Sequence, residues 1–546
     1  MMAIYCFRKS FTMLLILNLL ILPLSCVTTK DVRIAEAQIP SDLYSEKDMS
    51  AAVKIKPITQ QIVNIPEKGP LIITVKDAIL ISLENNRSLS VERINPSIRK
   101  TFEDEERAVF DPTVEAEVSD QRNDSKSLNQ SGSYTVNSVN DVIQGSISLK
   151  EYFPTGTFVE VDAVTKTTDS DLYNDTYSST RLGLSVTQSL LQGYGLNVNL
   201  ARLHQSRLET AITQYELRGF SESLLAKVES TYWDYALSKR QIEIVEESLK
   251  LARQQITETE EMIKVGTMAE AELAAVQAEV AAQQQGLINA KSNLESNRLK
   301  LLQLLNPPGD NLWERDVTLV HPPTLPEIEL DKVETHVAVA IRMRPEMNQA
   351  KLDVQKDDLE IVRTRNGLLP KMDLFINLGK TGYADSFSGS TKDIDGDNYD
   401  VMAGLIFEYP IFNRSARAKH RRALLSRDQT EMVLDNLKQL VELDVRNAYI
   451  EVNRTKDQIL ASTATRKFQE EKMRIETEKF RVGLSTTFFV AQAQRDLLVS
   501  RISEVQAVVN YLKALVSFYR LEGSLLERRG ISAPGRDSIE YSTKNK

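Results

Sequence analysis

Apolar residues recur along this chain with two periods, and the period changes several times. Over residues 200–263 a heptad stripe runs through Tyr235, Ile242, Val245, Leu249, Ala252, Ile256 and Ile263. A partner stripe past Gly266 uses Leu273, Val276, Val280, Leu287, Ala290, Leu294, Leu301 and Leu304, and Pro307-Pro308-Gly309 ends it. A 3.5-residue spacing sustained this long predicts helices that bury a common seam. Upstream the period falls to two. Residues 110–120, 142–150, 155–164 and 180–191 alternate, as do 368–379 and 400–412, so six strands are expected. Each alternating run is about ten residues, the length of a tilted membrane-spanning strand. Between them lie loops rich in Asn, Asp, Ser and Thr.

The pattern occurs twice. "KVGTMAEAELAAVQ" at 264–277 lies on "RVGLSTTFFVAQAQ" at 481–494 with a shift of 217, which also superposes Tyr232 on Tyr449. A second pair, Pro112 and Pro370, needs a shift of 258. The first copy therefore carries about 41 extra residues between its first strand and its long helix, and these hold the strand patterns near 142–164. Two added strands make a hairpin and preserve the up-down parity of a sheet. The sequence leaves open whether that hairpin lies within a bilayer or above it. The organisation expected is a leader at 1–25, an extended Pro-punctuated linker at 26–70, a first structural repeat at 71–310, a linker at 311–332, a second repeat at 333–527 and a disordered tail at 528–546. A helix is expected to open at Thr74-Val75 and another near 333–350.

A helix of about 65 residues rises ~97 Å, which implies an extended object. Two strands per repeat are too few to close a membrane barrel, whose smallest examples need about eight. A symmetric oligomer in which each protomer donates part of one barrel resolves this. The fold class expected is an internally duplicated α+β membrane protein.

The first 25 residues carry Arg8 and Lys9 as their only charges, followed by the apolar run "FTMLLILNLLILPL", too short for a comfortable transmembrane span. Ser25-Cys26 at its end resembles a lipoprotein processing site, although Pro23 stands where Leu is usual; Cys26 is the expected lipidation site. Ordinary signal cleavage with an incidental Cys is the alternative. Loss of Cys6 with the leader would leave no partner for a disulfide. One acyl chain binds a membrane only marginally, so a second anchor is required. Removing the leader takes the net charge from −9 to −11, and an acidic chain without a basic block argues against nucleic acid.

"TVKDAILISLENNRSLSVER", "FDPTVEAEVS", "LGLSVTQSLLQGYG", "RMRPEM", "LLPKMDLFINLG" and "FRVGLST" resemble, in content and order over about residues 72–525, the blocks of TolC/OprM-type outer-membrane efflux proteins. The resemblance implies a homotrimer: a 12-stranded transmembrane β-barrel, four strands per protomer, continued by a long periplasmic α-helical coiled-coil tunnel. The extra hairpin departs from that count. It implies a passive export duct in the outer-membrane lipid, coupled through a periplasmic adaptor to an inner-membrane transporter, with no cofactor, no metal and no enzymatic activity. The tips of its helices would dock the adaptor, which assigns that role to Lys264, Val265, Gly266, Thr267, Arg481, Val482, Gly483, Leu484 and Ser485. In this family aspartates six and nine residues beyond the second tip glycine close the tunnel. Phe489 and Gln492 stand there instead, so an acidic ring is replaced by a hydrophobic constriction with a polar ring, or Phe488 or Phe489 packs between helices. Glu270 and Glu272 supply negative charge near the entrance, or simply open a solvated helix.

Other motifs carry less. "GYGLNV" at 193–198 reads as a turn into the long helix, and "DIDGDNYD" at 393–400 lacks the closing Glu of a calcium loop, Gly404 standing in its place. His204, His321, His336 and His420 fall in no metal-binding spacing. Two rivals remain open at this stage: the outlet of a type I protein secretion system, and a periplasmic coiled-coil lipoprotein that forms no pore.

Overall fold

The computed structural model describes residues 69–128, 135–170, 176–309, 311–320, 322–326, 328–535 and 537–539. The leader, Cys26 and the linker up to residue 68 lie outside the described residues. Strand β1 (Leu71–Ile73) leads into α1 (Val75–Asn85), α2 (Arg87–Glu92) and α3 (Asn95–Arg107). Thr74 starts α1 as expected: its hydroxyl accepts from the Asp77 amide at 3.2 Å, and the Asp77 carboxylate accepts from the Thr74 amide at 3.0 Å. This reciprocal box satisfies two amides that the first helical turn leaves unpaired.

Four strands follow, β2 (Thr113–Leu128), β3 (Thr135–Phe153), β4 (Thr157–Ser170) and β5 (Tyr177–Ser189). A short α4 (Leu196–Asn199) precedes the long pair α5 (Ala201–Lys264) and α6 (Ala271–Leu305). Then come β6 (Val317–Leu319), α7 (Val333–Met343), α8 (Pro345–Asn366), β7 (Lys371–Ala384), α9 (Phe387–Lys392) and β8 (Tyr399–Glu408). The second long pair is α10 (Arg414–Arg481) and α11 (Thr487–Glu522), closed by α12 (Leu525–Arg528). The duplication holds to the residue at several boundaries. Val75, Asn85 and Thr113 map onto Val333, Met343 and Lys371 with the shift of 258, while Lys264 and Leu305 map onto Arg481 and Glu522 with the shift of 217. Both short helices of the long pairs end on a left-handed residue, Asn306 and Gly523.

All six long strands form one antiparallel sheet in the order β2-β3-β4-β5-β7-β8. The hairpin β3–β4, whose place the sequence left open, is therefore inside the sheet. The helices lie side by side in the order α6-α5-α11-α10. Their core, including Leu225, Val228, Tyr232, Leu301, Leu305, Val441, Val445, Phe518 and Leu526, gathers near the ends of α6 and α11.

Two expectations are corrected. The 311–332 linker holds β6, which pairs in parallel with β1, Leu71 opposite Val317 and Ile73 opposite Leu319. The tail expected to be disordered from 528 packs against the helices as far as it is described: Ile531, Ala533 and Ile539 are buried, and the Tyr215 hydroxyl donates to the Asp537 carbonyl at 2.5 Å. Its polar composition hides three apolar anchors: Ile531 and Ala533 join the main core, and Ile539 packs on Leu208 and Tyr215 of α5 and Leu352 of α8.

Candidate functional site

The six-stranded sheet has two chemically different faces, because every strand alternates and every register agrees. On one face the pairing aligns Val114, Leu149, Val161, Leu184, Leu378 and Val401 in one row across all six strands. Neighbouring rows on the same face bring Ala116, Ile147, Ala163 and Leu182 together on one side, and Val159, Val186, Ile376 and Ala403 on the other. Val114, Leu149, Val161, Leu182 and Leu405 are exposed. An apolar band this wide on a water-exposed wall would be costly, and marks a surface that meets lipid or protein.

The opposite face is tied by charge, although Phe158, Phe375, Met402 and Ile406 also lie on it. Lys150 of β3 bonds Glu115 of β2 and lies 3.7 Å from Glu160 of β4. Arg181 of β5 lies 3.6 Å from Asp162 of β4 and 2.9 Å from Asp400 of β8. It reaches Asp400 across β7 because Gly379 stands between them; a Cβ there would come 2.6 Å from the guanidinium. Glu117, Asp373 and Glu408 fall on the same face, which is acidic in balance. One apolar and one polar face is the alternation that strands of membrane barrels carry.

At the helix-side end, the strands meet the helices through a hydrogen-bonded junction. Asn366 at the end of α8 accepts from the Gly193 amide at 2.8 Å and donates to the Leu191 carbonyl at 3.2 Å. Asn199 donates to the carbonyls of Pro154 and Gly193 at 2.9 and 2.8 Å. "GYGLNV" is thus a turn at the start of the long helices, as the sequence suggested. The "DIDGDNYD" loop folds beside α9 on β5 and β7, where Thr180 and Ser390 hydroxyls meet at 2.8 Å and Asp393 accepts from the Tyr383 amide at 2.9 Å. Among the described residues no group of His, Cys, Asp and Glu is placed to hold a metal.

The far ends of the long helices are the two Val-Gly turns, and they share one geometry. Gly266 and Gly483 have φ of 76° and 77°. The Gly266 amide donates to the Ile263 carbonyl and the Thr267 amide to the Met262 carbonyl, both at 3.0 Å. The equivalent bonds of the second turn run from Gly483 to Phe480 at 3.0 Å and from Leu484 to Lys479 at 2.8 Å. This is the double bond of a Schellman stop, which needs a left-handed residue after the helix cap. Lys264, Val265, Gly266 and Thr267 are exposed, as are Arg481, Val482, Gly483 and Leu484; Ser485 is half-buried and donates to Glu476 at 2.9 Å. Val265, Val482 and Leu484 point three apolar side chains into solvent, 73%, 68% and 79% exposed.

Phe488 and Phe489 meet edge to face at 5.6 Å between centroids, and both are more than half exposed. Neither packs between helices of its own chain, and Gln492 is exposed one turn on. Contacts that fasten the two hairpins to each other were not legible in the sequence. Thr487 donates to Glu272, Gln494 donates to Gln255 at 2.8 Å in a buried contact, and Arg495 donates to Glu279 at 2.5 Å. Glu272 is therefore a fastening group and not a free charge at the entrance. The only hint was the recurrence of Gln277 as Gln494 across the repeat.

The model of the family described as outer membrane efflux protein matches residues 79–307 and 337–524. The chain belongs to this family. Solved structures of membrane channels share its fold. The outer-membrane channel OprN aligns with a TM-score of 0.60 and 17% identity over 82% of this chain and 90% of its own. CusC aligns with a TM-score of 0.60 and 17% identity over 86% and 97%. The Campylobacter jejuni CmeC outer membrane channel gives 0.62 and 14% over 84% and 89%. No curated protein sequence matches the chain significantly. The TolC/OprM-type resemblance drawn from the motifs therefore holds; in this chain α5 and α10 each start just after a strand of the sheet and end at a Val-Gly turn. Among the described residues no helix is long and apolar enough to cross a membrane.

Proposed function

We propose that the chain is one protomer of a homotrimeric export duct of the outer membrane, its strands forming a share of a lipid-embedded barrel and its helices a periplasmic tunnel. The observation that carries this reading is the sheet with one apolar and one polar face and two unpaired edges, standing on helices of 64 and 68 residues. A sheet of six strands cannot close on itself, so neighbouring copies supply the missing edges. A second feature supports the oligomer. Along α10, Leu425, Met432, Val433, Leu440, Leu443 and Ile450 form an apolar stripe that is about half exposed or more, and a neighbouring protomer would cover it.

On this reading Cys26 is acylated, the two exposed tips dock a periplasmic adaptor, and an inner-membrane transporter supplies the energy. Phe489 and Gln492 line the narrow end, where three phenylalanines oppose wetting of the pore. The test is single-channel current from the purified protein in planar bilayers, wild type beside Phe489→Ala. Small or absent steps that become large in the variant support a duct closed at Phe489. Large steps in both keep the duct and reject that gate. A folded, inserted protein that passes no current in either form ends the channel reading.

A further inference from the structure

The hairpin β3–β4 has no counterpart in the second repeat, yet it is built into the wall as firmly as its neighbours. Its strands pair along their full length, β3 with β2 from Thr113↔Lys150 to Leu128↔Thr135, and β4 with β5 from Thr157↔Gln188 to Thr168↔Tyr177. Its apolar residues Leu149, Val159 and Val161 fall in the same rows as apolar residues of β5 and β7, and Ile147 falls in the row of Leu182 of β5, where β7 carries Lys380. On the polar face Lys150 and Asp162 tie it to β2 and to Arg181 of β5.

Its helix-side turn is also keyed to the junction. The Gly195 amide donates to the Thr155 carbonyl at 3.2 Å, the Ser189 amide to the Gly156 carbonyl at 2.9 Å, and Asn199 holds Pro154. Gly156, with φ of 90°, passes so close to the junction that a Cβ would sit 2.3 Å from the Gly193 carbonyl oxygen. A loop lying outside a wall would need none of this.

We propose that the assembled barrel has eighteen strands, six from each of three copies, with β2 of one protomer pairing to β8 of the next. The inference rests on the trimeric duct proposed above. The first and last strands of the sheet run in opposite directions, so the edge pair closes antiparallel around a rotation axis. Widths agree as well. Strands ~4.8 Å apart and tilted ~40° each take about 6.3 Å of circumference, so six span about 38 Å. Four helices side by side at about 9.5 Å also span about 38 Å. Four strands at the same tilt would cover only about 25 Å. With six, the wall matches the ring of helices, and its backbone diameter rises from about 24 Å to about 36 Å. The partner surface is thus the sheet edge of a second copy, and the function of the hairpin is a wide exit.

The experiment is a cryo-EM map of the mature full-length protein in lipid nanodiscs, with strands counted in the barrel. Eighteen strands around a threefold axis are expected. Twelve strands, either from three copies with β3–β4 outside the wall or from two copies, overturn the inference. A deletion of residues 130–171 would rejoin β2 to β5 and reduce the diameter by about one third. Neutral polymers added from the extracellular side should be excluded at a smaller size by this variant than by wild type. Should the deletion not fold, Val161→Cys with Leu184→Cys tests the same point: these residues face each other across β4 and β5, so a disulfide should form in the membrane-embedded trimer. Its absence under oxidation counts against the wall position. A conducting trimer with twelve strands defeats only this inference, whereas a monomer without current defeats the duct as well.

Discussion

The two longest helices are copies of one another and live in different surroundings. α5 and α10 end on equivalent residues, Lys264 and Arg481, and stop with the same hydrogen bonds. Yet the part of α5 nearest the wall is buried under α3, α8, α11 and the C-terminal segment, whereas α10 leaves most of its surface open. Equivalent positions diverge accordingly. Glu222 is buried beside Arg218 while its counterpart Gln439 is exposed, and Glu229 is buried against Arg529 while its counterpart Arg446 lies at the surface. Duplication fixed the stop of each helix, and the environment then set the chemistry of its faces. The strand halves diverge further, because a sheet tolerates insertion of a whole hairpin without reversing any later strand. The long helices differ by only four residues, 64 against 68.

Charging the wall should show the largest effect. Ile147→Lys, on the inserted hairpin, and Ile376→Lys, in the second repeat, lie on the apolar face in the two rows that flank the Leu149–Leu378 row. Each is expected to cost about 2–4 kcal/mol if both face lipid at mid-depth. Trimer yield in outer-membrane fractions and urea midpoints of refolding into liposomes would measure this. A harmless Ile147→Lys beside a damaging Ile376→Lys would place the hairpin outside the bilayer.

The next contrast is in pH. Burial pushes the Glu222 carboxyl up to about 8, with Glu527 and Glu346 adding to the rise and Arg218 opposing it. The folded chain therefore keeps a proton that the unfolded chain releases above its ordinary value of 4.5. That contribution is fully present below about pH 4.5 and is lost as pH rises to about 8, on the order of a few kcal/mol. Glu222→Gln, which installs the second repeat's residue, should flatten the pH dependence of the unfolding temperature and raise it most near pH 8. A profile identical to wild type would show that Glu222 is solvated.

Glu229→Ala leaves Arg529 without the two bonds of 2.6 and 2.7 Å that hold it in a half-covered position, and should cost about 1–3 kcal/mol. Arg446→Ala, the equivalent change in the second copy, should leave the unfolding midpoint unmoved, since its bonds to Glu442 and Glu334 are at the surface. Equal losses would erase the distinction between the two helices. The smallest effect belongs to the tips. Gly266→Val and Gly483→Val place a β-branched residue at φ near 76° with open space around its Cβ, so only backbone strain of about 1–2 kcal/mol is added at each. Faster amide exchange confined to the ends of α5 and α10, and similar in the two variants, would confirm that the tips are equivalent.

Much of this molecule was written locally. Period-two and heptad patterns located the six strands and four long helices, the Val-Gly pairs located the turns, and the 41-residue difference between shifts announced the hairpin. These features follow from nearest-neighbour geometry, since alternation, helical periodicity and a left-handed glycine are properties of short stretches. Tertiary structure decided what short stretches do not encode. Only strand pairing set the hairpin's Ile147 and Leu149 in the rows of Leu182 and Leu184. Only the approach of two hairpins joined Thr487 to Glu272 and Gln494 to Gln255 across more than 200 residues. The tail is the clearest case: Ile531, Ala533 and Ile539 sit in a polar sequence with no period, and their burial exists because the main helical core receives the first two and a surface formed by α5 and α8 receives Ile539.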